Sequence, residues 1–125
     1  MYYKFLVPLL AFFVLSIWSQ EYEITSESVE IDTAEDLVIY SGGVKFASSQ
    51  INFTSNKLII DQKSEKFFAE GNPIYISYVQ DADEVTGSAQ KLELIEGTLS
   101  LKGQVKLIRN NNKISSDSII IKLQK

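Results

Sequence analysis

Val38, Tyr40, Val44 and Phe46 stand two and four residues on either side of Gly42. The frame returns around Gly71 with Phe67, Ala69, Pro73 and Tyr75, and around Gly103 with Leu99, Leu101, Val105 and Leu107. The three glycines are spaced about 30 residues apart. Apolar residues at a period of two belong to strands that bury one face, and recurrence at a fixed interval belongs to stacked β units. A strand ahead of each glycine frame keeps the same alternation: Val29/Ile31, Leu58/Ile60 and Leu92/Leu94. Polar turns separate the runs, at Ser41-Gly42-Gly43, Glu70-Gly71-Asn72-Pro73, Glu96-Gly97, Lys102-Gly103 and Asn110-Asn111-Asn112. Nothing beyond residue 20 has helical periodicity.

Each unit therefore reads as a strand, a polar hairpin turn, a second strand, a glycine and a third strand. One face of every strand points into a common interior, and the glycine permits a bend or bulge where the chain passes on. Pro73 cannot donate to a ladder, so a bulge or an edge is expected there. A bulge would turn Ile74, Ile76 and Tyr78 inward in place of Tyr75, and the alternation leaves both phases open. The loop between Leu94 and Leu99 is shorter than its counterparts in the first two units. A fourth unit begins at Ser116-Asp117-Ser118-Ile119-Ile120-Ile121-Lys122 and stops after one strand. Ile119 and Ile121 then mark an apolar edge. It is either open to strand addition from another chain or an ordinary last strand guarded by Lys122 and Lys125.

The start of the chain has a different character. Lys4 precedes an apolar run from Phe5 to Trp18, interrupted by Pro8 and Ser16 and followed by Ser19-Gln20 and an acidic stretch. This pattern fits a secretory signal peptide over residues 1–20, ahead of one domain over 21–125. Ile17 and Trp18 stand where a cleavage site favours small residues, so an uncleaved anchor is the competing reading.

Composition removes several function classes. The 125 residues contain no Cys and no His, which rules out thiol chemistry, disulfides, His-based acid–base catalysis and ordinary zinc sites. The formal net charge of −4 argues against a nucleic-acid surface. Asp81, Asp83 and Glu84 form the densest acidic cluster, without the glycine-centred frame of a calcium loop, and read as a solvated turn. No catalytic residue, metal site or cofactor is expected.

Several segments together resemble a known family. They are Glu27 to Phe46 with its Tyr-Ser-Gly-Gly-Val-Lys-Phe ending, Ile51-Asn52-Phe53 with Asn56-Lys57-Leu58, and Glu70-Gly71-Asn72-Pro73. Val85-Thr86-Gly87-Ser88-Ala89-Gln90, Lys102-Gly103-Gln104-Val105 and the stretch from Ile114 to Ile121 complete the set. In order and spacing they are similar to the LptA/OstA-like periplasmic lipopolysaccharide-transport bridge proteins, over about Tyr22 to Ile121.

The resemblance implies an all-β, slightly twisted, solenoid-like β-jellyroll of two facing antiparallel sheets with open ends. It implies a periplasmic lipopolysaccharide carrier that joins like domains head to tail. The implied partners are the inner-membrane C component and the outer-membrane D component of the bridge. The residues then expected to meet lipid acyl chains are Tyr22, Ile24, Val38, Tyr40, Ile76, Leu92 and Leu94, with Ile31, Phe46, Leu101 and Leu107 behind them. Lys45, Lys106 and Arg109 are candidates for lipid phosphate or for ordinary solvation. The early stop after Ile121 departs from the family pattern. A membrane-anchored C-type component and a β-solenoid scaffold with a filled core are the alternatives.

Overall fold

The structure is a computed structural model and describes residues 21–123. The signal peptide or anchor expected over residues 1–20 lies outside the described residues. Eight strands follow one another: β1 (Tyr22–Thr25), β2 (Ser28–Asp32), β3 (Leu37–Ser48), β4 (Ile51–Asp61), β5 (Lys66–Gln80), β6 (Asp83–Ile95), β7 (Thr98–Arg109) and β8 (Asn112–Lys122). All pairings are antiparallel, in the order β1-β3-β4-β5-β6-β7-β8, with β2 also on β3. β1 covers one end of β3 and β2 the other, so together they act as one broken strand. Among the described residues there is no helix.

The turns follow from local chemistry. Asp32 Oδ1 accepts the Glu35 N–H at 3.0 Å, and Asp61 Oδ1 accepts the N–H groups of Lys63 and Ser64 at 3.0 and 3.3 Å. Each Asp closes a four-residue turn that ends on a left-handed residue, Asp36 or Glu65. The Ser64 backbone bond holds the Asp61 carboxyl below its usual value. The shorter third loop is the two-residue turn Glu96-Gly97, both with positive φ, as are Asp81 and Ala82 in the β5–β6 turn. Such pairs match the twist of a hairpin.

A line of register shifts crosses the whole sheet. The shifts fall between Ser41 and Val44, Thr54 and Lys57, Glu70 and Ile74, Ser88 and Lys91, and Lys102 and Val105. Neighbouring shifts face one another, so they form one crease running perpendicular to the strands. The break between β1 and β2 continues it, where the Glu27 N–H donates to Gly42 O at 2.9 Å. The three-strand unit inferred from sequence is thus corrected. The strands before and after each glycine are a single strand bent at a bulge. Likewise, the two facing layers are halves of one continuous sheet.

Two glycines are required at this line. Gly42 and Gly103 have φ of +85° and +89°, and a Cβ on either would lie 2.5 Å from Oε1 of Glu27 or Gln90. In both places the long polar side chain of the preceding strand lies across the bulge. Gly71-Asn72-Pro73 falls outside the ladder between Glu70 and Ile74, so the missing Pro73 N–H leaves no gap in it. The bulge settles the open phase: Ile74, Ile76 and Tyr78 are buried, and Tyr75 points outward with 62% exposure.

Candidate functional site

The folded sheet encloses an apolar interior. Leu58, Ile74, Leu99 and Leu101 have no accessible surface, which a single uncovered sheet face cannot achieve. The cover is the other half of the same sheet. Phe46 pairs with Phe53 on one side of the crease, while Phe67 pairs with Ile60 and Leu94 on the other. The Phe46 and Phe67 rings nevertheless meet edge to face, 5.7 Å between centroids. Tyr22 stacks on Phe46 at 5.1 Å and meets Phe67 at 5.5 Å, and Phe53 stacks on Phe46 at 4.8 Å. These four rings link the two halves close to the β1 edge.

Of the eleven positions expected to meet acyl chains, nine are buried in this interior: Ile24, Val38, Tyr40, Phe46, Ile76, Leu92, Leu94, Leu101 and Leu107. Tyr22 is half-buried against them. Ile31 departs from the expectation of an interior residue. It lies opposite Val38 and so shares the inward face, but it is 53% exposed because β2 is an edge strand with nothing beyond it. Ile119 and Ile121 pair with Leu101 and Leu99 and are half-buried on the other edge. Phe53 and Phe67 complete the aromatic group; Phe67 stands in the apolar frame around Gly71, but neither was among the positions expected to meet acyl chains. The alternation of Ile51-Asn52-Phe53 is the signal that points to the first.

The polar groups fall on the rim and the outside. Lys45 and Lys106 point outward, since Val44, Phe46, Val105 and Leu107 on either side of them are buried. Arg109 follows Leu107 on the inward face at a lip of the fold. Its Nη2 donates to Asp83 Oδ2 at 3.0 Å and its Nε to the same oxygen at 3.3 Å. Asp83 flanks the β5–β6 turn with its side chain 37% exposed, so it stays at the solvated end of the hairpin, and Arg109 already has an anionic partner. Burial pushes up the pKa values of Tyr22, Tyr40 and Tyr78. The charge of Tyr40 adds to the effect at Tyr22, and Arg109 opposes it at Tyr78. The interior therefore carries neutral phenols.

A bent, antiparallel, all-β sheet around an apolar interior is the geometry that family membership can test. The family model described as "LptA/(LptD N-terminal domain) LPS transport protein" matches residues 23–125. The chain belongs to that family. It is accordingly a lipopolysaccharide-transport protein of the LptA type and not an enzyme. LptH of Pseudomonas aeruginosa has the same fold, with a TM-score of 0.74 at 20% identity over 82% of this chain and 76% of that one. LptH is described as the LptA-homologous periplasmic component of the lipopolysaccharide transport device. No curated protein matches the chain significantly in sequence. The LptA-like fold here is reached with one sheet creased once.

Proposed function

We propose that this LptA-family protein carries lipopolysaccharide by holding its acyl chains between the two half-sheets. The observation that carries this reading is the way the interior is bounded. Strand backbone joins the halves along the crease, while no strand pairing among the described residues ties their opposite lips together. Side chains fill the space in the structure, and rotation about the crease would part them for a ligand.

The energetics suit a conduit. An acyl chain gains about 0.8 kcal/mol per buried methylene, and those contacts have no direction. A chain of about 12 carbons can therefore displace the contacts between the halves and still slide. Sugars and phosphates of the ligand remain in water outside the lips. Residues 1–20 act as the export signal, the protein works in the periplasm, and like sheets join at their edges. The inner-membrane C component delivers lipid and the outer-membrane D component receives it.

Photo-crosslinking in cells tests the carrier reading, with the reactive group at Tyr40 or Leu94 and an outward control at Glu35. Lipopolysaccharide adducts at the two interior sites and none at Glu35 are expected. The full packing of the interior favours one competitor, a scaffold with a permanently closed core. Absence of adducts from folded, exported protein would establish that competitor. The N-terminal residue of the mature chain separates an exported protein from one anchored by residues 5–18.

A further inference from the structure

The two lips of the folded sheet are built from different residues. On the half that carries the β4–β5 turn, the outermost inward-facing row runs unbroken from Ile31 on β2 to Ile121 on β8. Every member of that row is apolar, Phe67, Leu94 and Leu99 among them. On the other half the corresponding row carries Tyr22, Tyr78, Arg109 and Asn112. The two rows face each other, since Tyr22 meets Phe67 across the gap at 5.5 Å between ring centroids. An amphiphile held between the halves therefore meets carbon on one lip and hydrogen-bonding groups on the other.

The polar groups gather where β5, β6 and β7 end. Val85 is buried between Tyr78 and Arg109, its partners on either side, so two long side chains flank a short one. Asp83 stands two residues further out on the same face of β6. Arg109 leans out to it and donates from both Nε and Nη2 to the single oxygen Oδ2. That geometry leaves Asp83 Oδ1 as an acceptor and Arg109 Nη1 as a donor, side by side in a pair whose side chains are 37% and 38% exposed. Tyr78 lies just inside the rim, 5% exposed, where the Arg109 charge acts on its phenol. Its hydroxyl has no hydrogen-bond partner among the described residues.

Charge decides which kind of head such a lip suits. Residues 80–84 and 109–113 hold three acidic groups, Asp81, Asp83 and Glu84, against Arg109 and Lys113. A phosphate gains little from a guanidinium that already holds a carboxylate, and the neighbouring acids repel it. A sugar hydroxyl donates and accepts at once, so vicinal hydroxyls match an acceptor set beside a donor. The carbonyl that joins an acyl chain to a sugar only accepts, and the free phenol just inside the rim is a donor for it.

We infer that the bound lipid lies one way round, with its sugar head on the lip of Tyr78, Asp83 and Arg109 and its acyl chains along the opposite lip of Phe67, Leu94 and Leu99. Sugar hydroxyls take Asp83 Oδ1 and Arg109 Nη1, and the phosphates point away into water. Asp83, Arg109 and Tyr78 then set specificity for the head. This orientation rests on the carrier reading and adds to it the side on which the head lies and the groups that hold it there.

Binding to the full chain of lipopolysaccharide, of the same lipopolysaccharide after dephosphorylation, and of a long-chain fluorescent fatty acid tests this. Asp83→Ala/Arg109→Ala and Tyr78→Phe should each weaken lipopolysaccharide binding about threefold to tenfold. Both should bind the fatty acid, which has no sugar, as the wild type does. The wild type should bind intact and dephosphorylated lipopolysaccharide equally. Its saccharide, freed of acyl chains, should not bind measurably.

Variants that bind lipopolysaccharide like the wild type would overturn the assignment of the lip, as would an equal loss of lipopolysaccharide and fatty acid. A loss on dephosphorylation that vanishes in the variants would assign the lip to phosphate and overturn the sugar. Free saccharide that binds as tightly as the lipid would overturn the lipid head as occupant. A folded wild type that binds neither lipid nor fatty acid would sink the carrier reading itself, whereas failure of the lip alone leaves fatty-acid binding intact.

Discussion

Phe46 and Phe67 belong to opposite halves of the sheet, yet their rings sit edge to face with centroids 5.7 Å apart. The contact exists only because the sheet is folded along its bulges. It therefore reports on closure of the interior. Phe67→Ala should destabilise the protein by about 2–4 kcal/mol in urea unfolding. A double-mutant cycle with Phe46→Ala should give a coupling of about 0.5–1.5 kcal/mol. Additive effects would show that the halves are held by other contacts.

The crease glycines make a separate prediction. Gly42→Ala and Gly103→Ala each force a side chain into a left-handed conformation against Glu27 or Gln90. Each should cost about 1–3 kcal/mol in the same measurement. Shortening the opposing chain with Glu27→Ala should relieve the contact in the Gly42 variant but not the backbone strain, recovering only part of the loss.

Burial depth separates two inward-facing residues. Leu101 has no accessible surface and Ile31 is half open. Leu101→Ala should cost about 2–5 kcal/mol, whereas Ile31→Ala should stay within about 0.5 kcal/mol. Thermal unfolding of the two variants beside the wild type checks the contrast.

Alkaline pH should loosen the fold. Tyr22 and Tyr40 have pKa values raised in the folded chain by burial. A group whose folded pKa lies above its unfolded value stabilises the native state fully below the unfolded value, about 10 for tyrosine. That contribution is lost as pH rises past 10 toward the folded values. Unfolding free energy should thus fall above about pH 10. The fall should be shallower for Tyr22→Phe, and a wild-type curve that stays flat would contradict the buried phenols.

Much of the fold could be read from period-two alternation, which is why Val38, Tyr40, Leu92, Leu94 and Leu101 are where the sequence puts them. The failures have specific causes. Tyr40 to Val44 and Leu101 to Val105 each cross the crease in four residues, whereas Ala69 to Ile74 takes five. That one extra residue in β5 turned Tyr75 outward, and a glycine-anchored alignment has no means of counting bulge length. The exposure of Ile31 depends on what lies beside β2 in space, and the Asp83–Arg109 pair joins residues 26 apart in sequence. Neither is a local property. The bend within each strand was also hidden, since a strand that continues through a bulge and a strand that ends at a glycine have the same apolar pattern.

The in-register bulges separate strength from capacity. Ladder hydrogen bonds point from strand to strand, along the fold line, and so run lengthwise down the interior. Widening the interior turns the halves about that line and stretches none of these bonds. Pulling on the sheet lengthwise loads all of them at once. The molecule is therefore stiff along the fold line and compliant across it.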